Sequence, residues 1–126
     1  MNTQLLNILA VFVGGGTGAS LRYLITKLST KLCGFSQWGT FTANILGCFL
    51  IGYIFGFTMQ KTEIIPPAAK LFLTVGFLGG LTTFSTFSCE AFCFLKEGKI
   101  AHCAIYVTAS FVLGLCATFA GYLLGK

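Results

Sequence analysis

The sequence predicts an all-α integral membrane protein with four transmembrane helices. Hydrophobic residues make up 56% of the 126 residues and charged residues only 9%, whereas soluble domains carry ~25% charged residues. Asp, Glu, Lys and Arg are absent from residues 1–21, 32–60, 71–89 and 100–125. Each of these stretches is long enough to cross a bilayer, since a spanning helix needs ~20 mostly apolar residues. The composition therefore excludes a soluble fold.

The four charge-free stretches place the helices in a single transmembrane domain, residues 1–126. We expect helix 1 at about 4–26, helix 2 at about 39–60, helix 3 at about 68–95 and helix 4 at about 100–125. Helix 1 lacks the basic start and the cleavage pattern of a secretory signal, so we expect it to be retained. Three short connectors follow from these bounds: Lys27–Trp38, Lys61–Pro67 and Lys96–Lys99.

The basic residues indicate a membrane orientation rather than a nucleic-acid partner. The net charge is +5, but Lys and Arg are spread over connectors and helix ends, where they set membrane topology. Three lysines fall on the side of the termini, and four or five basic residues fall on the opposite side. This near balance predicts insertion in both orientations, which permits an antiparallel dual-topology homodimer. The small size of the chain also favours a two-fold dimer.

Small residues indicate close helix packing. Glycines recur in the Gly-x-x-x-Gly spacing that lets helix backbones approach, either within one chain or between chains. These pairs are Gly14 and Gly18, Gly52 and Gly56, and Gly121 and Gly125. The six cysteines form no Cys-x-x-Cys pair and fall mostly inside the predicted spans. We interpret them as small apolar fillers.

Polar residues inside helix 2 mark candidate functional positions, because polar side chains in lipid usually face a partner or a water-filled path. Thr40, Asn44 and Gly47 share one helix face at i, i+4 and i+7. The amide of Asn44 can donate two hydrogen bonds to an anion. An interhelical hydrogen bond is the alternative role of Asn44.

Helix 3 contains the segment Gly76–Ser88, in which two adjacent glycines and five hydroxyl residues interrupt an apolar span. We interpret it as a broken helix, because unwound backbone at membrane depth is tolerated only where it is buried or lines a cavity. Its carbonyls and helix ends then become ion sites. Thr83, Phe87 and Glu90 share one face beyond this point, and Phe84 lies nearby. Electropositive ring edges suit a weakly held anion, although core packing is the commoner role of phenylalanine.

Helices 4 and 1 add three candidates. Tyr106 and Ser110 share a face of helix 4, where their hydroxyls either line a pore or bond to backbone carbonyls. Arg22 ends the predicted helix 1. Its guanidinium either snorkels to the membrane interface or attracts anions in a vestibule.

Three segments together resemble the Fluc, or CrcB, family of fluoride channels: GGTGASLRY at Gly15–Tyr23, GTFTANILGCFLIG at Gly39–Gly52 and GFLGGLTTFSTFSCE at Gly76–Glu90. The resemblance implies an antiparallel dual-topology homodimer in a prokaryotic inner membrane. It also implies two fluoride pathways, each built from both subunits, through which fluoride leaves the cell passively.

The resemblance also implies roles for single residues. Asn44, Phe84 and Phe87 are similar to residues of the family's fluoride pathway. Gly79 and Thr82 are similar to the backbone-carbonyl ligands of a structural sodium ion at the dimer centre. The further pathway candidates are Thr83, Glu90, Tyr106, Ser110 and Arg22.

Two other functional classes stay open at this point. A small proton-coupled multidrug exporter is also a four-helix dual-topology dimer, and it requires a carboxylate inside a helix. Glu90, toward one helix end, is the only candidate for that carboxylate. A non-transporting assembly subunit would need only the glycine-rich packing, which leaves the hydroxyl-rich segment unexplained. The sequence shows no Ser/His/acid set, metal-ligand cluster or P-loop, so we predict no enzyme activity.

Overall fold

The computed structural model describes residues 2–61 and 64–126, which are almost entirely helical. Four helical segments of this described part are long and apolar enough to cross a membrane: α1 (Thr3–Cys33), α2 (Ser36–Gln60), a third span (Pro67–Lys96) and the last helix (Ile100–Gly125). The predicted all-α fold with four spans is therefore confirmed. Of the predicted turn at residues 61–67, residues 62 and 63 lie outside the described residues.

The helix bounds match the prediction closely except at the end of α1. This helix continues past residue 26 to Cys33, so the predicted basic connector shrinks to Gly34 and Phe35. Gly34 adopts φ 80° and donates its N–H to the carbonyl of Thr30, which is a common helix C-cap geometry. Leucine and lysine favour helix, and Lys31 suits a helix C-terminus. The apolar limit of the first span therefore does not mark its helix end.

The third span changes backbone geometry along its length. It starts as α3 (Pro67–Leu71), continues as a π-helix (Phe72–Leu78) and then forms the short helix α4 (Gly79–Leu81). Thr82 and Thr83 are extended, with φ/ψ of −87°/154° and −149°/117°. Helix resumes as α5 (Phe84–Lys96), and α6 is the last helix, Ile100–Gly125.

We call Thr82 and Thr83 the extended pair, residues 67–81 the first arm, and Phe84–Lys96 the second arm. Within the glycine- and hydroxyl-rich segment of the sequence, the two threonines are non-helical. The two adjacent glycines belong to α4 and are helical.

The helix α2 lies at the centre of the chain, between α1 and α6. The first arm packs along α1, whereas the second arm contacts only α2 and α6 among the described elements. At each glycine of the three predicted pairs, a Cβ atom would meet main-chain atoms of a neighbouring helix: Gly14 and Gly18 against the first arm, Gly52 and Gly56 against α6, and Gly121 and Gly125 against α2. The three glycine pairs therefore serve packing within the chain.

Few apolar side chains are buried inside the single chain. Ala43, Leu78 and Leu81 form a small core where α2 meets the first arm. Large apolar side chains are exposed on the outer faces of the spans; Phe12 and Leu115, for example, are 78% and 71% exposed. Such a surface suits lipid or another helix rather than water.

Candidate functional site

A groove of about 480 Å³ opens between α2, the third span and α6. Predicted site residues line much of it: Asn44, Gly79, Thr82, Thr83, Phe84, Phe87 and Ser110. Glu90 and Tyr106 contact each other beside it, and Tyr106 also packs against Phe87. Nine of the ten predicted residues therefore line this groove or lie beside it, and Arg22 is the exception.

Asn44 holds the backbone of the extended pair. Its Nδ2 donates to the carbonyl of Thr83 at 3.2 Å, and its Oδ1 accepts the N–H of Thr83 at 2.7 Å. The side-chain amide thus replaces the helical partners that an extended residue lacks. The interhelical hydrogen bond that the sequence left open is present. It uses one of the two Nδ2 hydrogens.

The two threonines of the extended pair have different side-chain partners. The hydroxyl of Thr83 accepts the N–H of Thr86 at 3.2 Å and so caps α5. The hydroxyl of Thr82 instead donates to the carbonyl of Leu78 at 2.9 Å. The methyl group of Thr82 fills the space where a Cβ at Gly47 would lie. Gly47 is therefore required for the close approach of α2 to the extended pair.

Glu90 is a buried carboxylate that bridges three helices. Its Oε1 accepts the hydroxyl of Thr40 at 2.8 Å, and its Oε2 accepts the hydroxyl of Tyr106 at 2.6 Å. Within residues 2–61 and 64–126, no lysine or arginine forms an ion pair with it. The two hydroxyl donors supply the hydrogen bonds that a buried charge requires. Through Thr40 and Tyr106, Glu90 thereby joins the second arm to α2 and α6.

The two phenylalanines predicted as a pair lie in different environments. Phe87 is only 8% exposed, and its ring centroid lies 5.2 Å from that of Tyr106 and 6.3 Å from that of Phe111. Phe84 is 73% exposed, although its centroid lies 6.1 Å from that of Phe87. Phe87 is therefore a packing residue at the groove wall, while Phe84 presents its ring outward.

Ser110 contributes a buried hydroxyl to the groove. Its Oγ makes no hydrogen bond to any described residue, which is uncommon for a buried donor. The backbone hydrogen bond considered from the sequence is therefore not made by Ser110. Tyr106 does not make one either, because its hydroxyl donates to Glu90.

Arg22 lies on the other side of the third span. Its Nε donates to the carbonyl of Gly80 at 3.1 Å, and the side chain is half-buried. The prediction that Arg22 ends the first helix is wrong, because α1 continues as a helix to Cys33. The two roles considered for its guanidinium, snorkelling and anion attraction, stay predictions. No motif in the sequence indicated the contact with the carbonyl of Gly80.

Gly79 and Thr82, the predicted sodium ligands, lie at the end of the first arm. Gly79 is helical, with φ −63° and ψ −38°, whereas Thr82 is extended. The neighbouring carbonyls of Gly80 and Thr83 accept hydrogen bonds from side chains. In the described part of the chain, the carbonyls of Gly79 and Thr82 accept none. Carbonyl oxygens are ligands that a hard cation prefers, so the donor set fits sodium in its chemistry.

Comparisons with known proteins agree on one family. The family model for CrcB-like protein, Camphor Resistance (CrcB), matches residues 9–122. A fluoride-specific ion channel FluC from Aquifex aeolicus is 42% identical over 120 residues, covering 94% of this chain and 96% of that protein. Proteins of the same name from Phocaeicola vulgatus and Geobacter metallireducens are 44% and 40% identical, covering 91% and 97% of this chain and 94% and 98% of those proteins. The family match spans parts of all four helical segments.

Proposed function

This chain belongs to the CrcB-like family, and we propose that it is a fluoride-selective channel through which fluoride crosses the cell membrane passively and leaves the cytoplasm. The observation that carries the proposal is the groove beside the extended pair. It places an amide and hydroxyl groups next to aromatic rings inside a four-span chain with an apolar outer surface. Neutral donors bind an anion weakly enough to release it, which conduction requires. Relatives over nearly the whole chain carry the name fluoride-specific ion channel.

In this proposal fluoride moves along the face where α2, the second arm and α6 meet. The donors are the second Nδ2 hydrogen of Asn44 and the hydroxyl of Ser110, which has no hydrogen-bond partner among the described residues. The ring edges of Phe84 and Phe87 add electropositive contacts. The remaining pathway candidates support these groups. Thr83 orients Asn44, Glu90 holds the hydroxyl of Tyr106, and Arg22 adds positive charge on the α1 side.

The working unit of the proposal is an antiparallel dual-topology homodimer whose third span is a broken helix at the extended pair. The near-balanced basic residues support insertion both ways. The exposed ring of Phe84 and the open groove offer a second copy a place to complete each pathway. Carbonyls of Gly79 and Thr82 from two copies would together hold one structural sodium ion, whose charge favours anions nearby.

A liposome assay tests the function. Purified protein in fluoride-loaded liposomes should release fluoride passively, with no pH gradient, while empty liposomes and chloride-loaded liposomes give the background. Release that requires a pH gradient would support the exporter class instead, and no release at all would support the assembly subunit. The exporter class is not favoured, because relatives over nearly the whole chain carry the name fluoride-specific ion channel.

Accessibility labelling tests the dual topology. A cysteine added at one terminus of a variant that lacks the native cysteines should be labelled from both sides of one membrane preparation. Labelling from a single side in all copies would contradict the antiparallel homodimer without contradicting the family membership.

A further inference from the structure

One face of α1 packs against the backbone of the first arm up to the end of that arm. Gly14, Gly18 and Arg22 are spaced four residues apart and therefore share that face. A Cβ at Gly18 would meet the carbonyl of Phe77 and come within 2.9 Å of the backbone nitrogen of Leu81. Arg22 follows one turn later on α1, and its side chain reaches the carbonyl of Gly80 in the first arm.

The main-chain group that Arg22 reaches has lost its helical partner. In a continuous helix, the carbonyl of Gly80 would accept the N–H of Phe84. The extended pair interrupts that hydrogen bond, and the Nε–H of Arg22 takes its place at 3.1 Å. A carbonyl at a helix end needs such a partner, and a charged donor makes the hydrogen bond stronger.

Asn44 performs the same task on the other side of the interruption, at Thr83. One side chain from α1 and one from α2 therefore fix the main chain around the extended pair. Between these two fixed points lie the carbonyls of Gly79 and Thr82, which accept no hydrogen bond from the described residues.

We propose that Arg22 is a positioning residue: through the carbonyl of Gly80 it fixes the end of the first arm and the extended pair. The inference rests on the proposed fluoride function only for its effect on flux. The positioning role requires the planar, directed Nε–H of arginine, whereas a role in attracting anions would require only a positive charge. Lysine keeps the charge and lacks that geometry, so Arg22→Lys separates the two roles.

Hydrogen–deuterium exchange of residues 78–86 tests the inference directly. Arg22→Lys and Arg22→Gln should both exchange about tenfold faster there, the order expected for losing one charge-assisted hydrogen bond. The matched control is Lys27→Gln, which removes the same charge from α1. Lys27 lies over the ring of Tyr23 at 5.9 Å and forms no ion pair with a described residue. In Lys27→Gln, the exchange of residues 78–86 should therefore change less than about twofold.

Fluoride flux supplies the second measurement. In both Arg22 variants, fluoride flux should fall about tenfold, because the same charge-assisted hydrogen bond is lost. Both variants should also need more sodium to reach half-maximal flux. Unchanged exchange in both variants would overturn the inference, as would full rescue of exchange and flux by Arg22→Lys. Faster exchange that spreads to α6, remote from Arg22, would also overturn it by showing general unfolding. A parent protein without fluoride flux would refute the proposed function, and the exchange result would still decide the role of Arg22.

Discussion

The two arms of the third span are held by different kinds of contact. The first arm lies backbone to backbone on α1, where Gly18 of α1 and Gly80 of the first arm leave no room for a Cβ. The second arm is held through side chains, by the hydroxyls that Glu90 accepts and by the packing of Phe87. The first arm is therefore held mainly by close glycine contacts, and the second arm by polar and aromatic side chains.

This difference shows how a lipid-facing chain can keep polar groups in its interior. Glycine contacts bring the backbones of the first arm and α1 together, and Arg22 adds a hydrogen bond to the carbonyl of Gly80. The second arm stands away from α1, so α2 and α6 can place an amide and hydroxyls against it. The candidate site lies where the two modes of packing meet, at the extended pair.

The largest expected effect comes from filling the glycine contact of the first arm. Gly18→Val should prevent stable folding, because the branched side chain collides with main-chain atoms of Phe77 and Leu81, which cannot retract as a side chain can. The loss of stability is measured by the melting temperature and by the yield of folded protein in detergent.

Gly16→Val is the matched control for this collision, since no described residue lies within 4 Å of a Cβ at Gly16. It should cost no more than about 1 kcal/mol. Equal damage from both substitutions would show that α1 tolerates no valine in this region, and the glycine contact would lose its special role.

The second effect is expected at the boundary between the arms. Asn44→Asp should reduce fluoride flux at least about tenfold while the protein stays folded, because a carboxylate only accepts hydrogen bonds and repels both the Thr83 carbonyl and an anion. The liposome assay measures the flux. Asn7→Asp makes the same chemical change at a residue outside the groove and should leave flux within about twofold of the parent. Unchanged flux in Asn44→Asp would remove Asn44 from the pathway.

A smaller effect is expected in the second arm. Tyr106→Phe should destabilise the protein by about 1–2 kcal/mol, because Glu90 keeps only one of its two hydroxyl donors. Tyr53→Phe, at a tyrosine with no hydrogen bond to the described residues, should stay within about 0.5 kcal/mol of the parent. Thermal unfolding of both variants and of Thr40→Val in a double-mutant cycle measures the coupling. Additive losses would show that Thr40 and Tyr106 do not act through Glu90.

The smallest effect on the chain itself is expected at Gly79. A Cβ there meets only the carbonyl of Thr74, at 3.8 Å, so Gly79→Ala should leave the melting temperature equal or slightly higher. Gly80→Ala, one residue later, should lower it, because its Cβ would collide with the carbonyl of Gly15. A lower melting temperature for Gly79→Ala would contradict this distinction. If Gly79→Ala keeps its melting temperature but loses sodium-dependent flux, the added methyl group would be in conflict with the second copy of the chain and not with its own.

The sequence predicted the faces of the helices well, because a helix is rigid and its spacing is fixed. Thr40, Asn44 and Gly47 all contact the third span, at Glu90 and at the extended pair. No such rule links distant segments of the chain. The sequence therefore did not indicate which helix packs against each glycine pair, because tertiary packing decides it.

The same limit explains the error at Arg22. Hydropathy reports where apolar residues stop, and the helix itself continues to Cys33, so the residue looked terminal when it was internal. Its partner, the carbonyl of Gly80, is a main-chain atom that no sequence pattern marks. The roles of the site residues in conduction and in sodium binding stay predictions, which the variants above test.

The length of α1 links the extended pair to the thickness of the membrane. Its 31 residues rise about 46 Å, whereas the hydrocarbon core measures ~30 Å. A helix longer than the core either tilts or extends into the headgroup layer, and the balance shifts with lipid chain length. Because the backbone of α1 is fixed to the first arm at Gly14 and Gly18, any tilt of α1 carries the first arm with it. We therefore expect the acyl-chain length of the surrounding lipid to affect the geometry of Thr82 and Thr83.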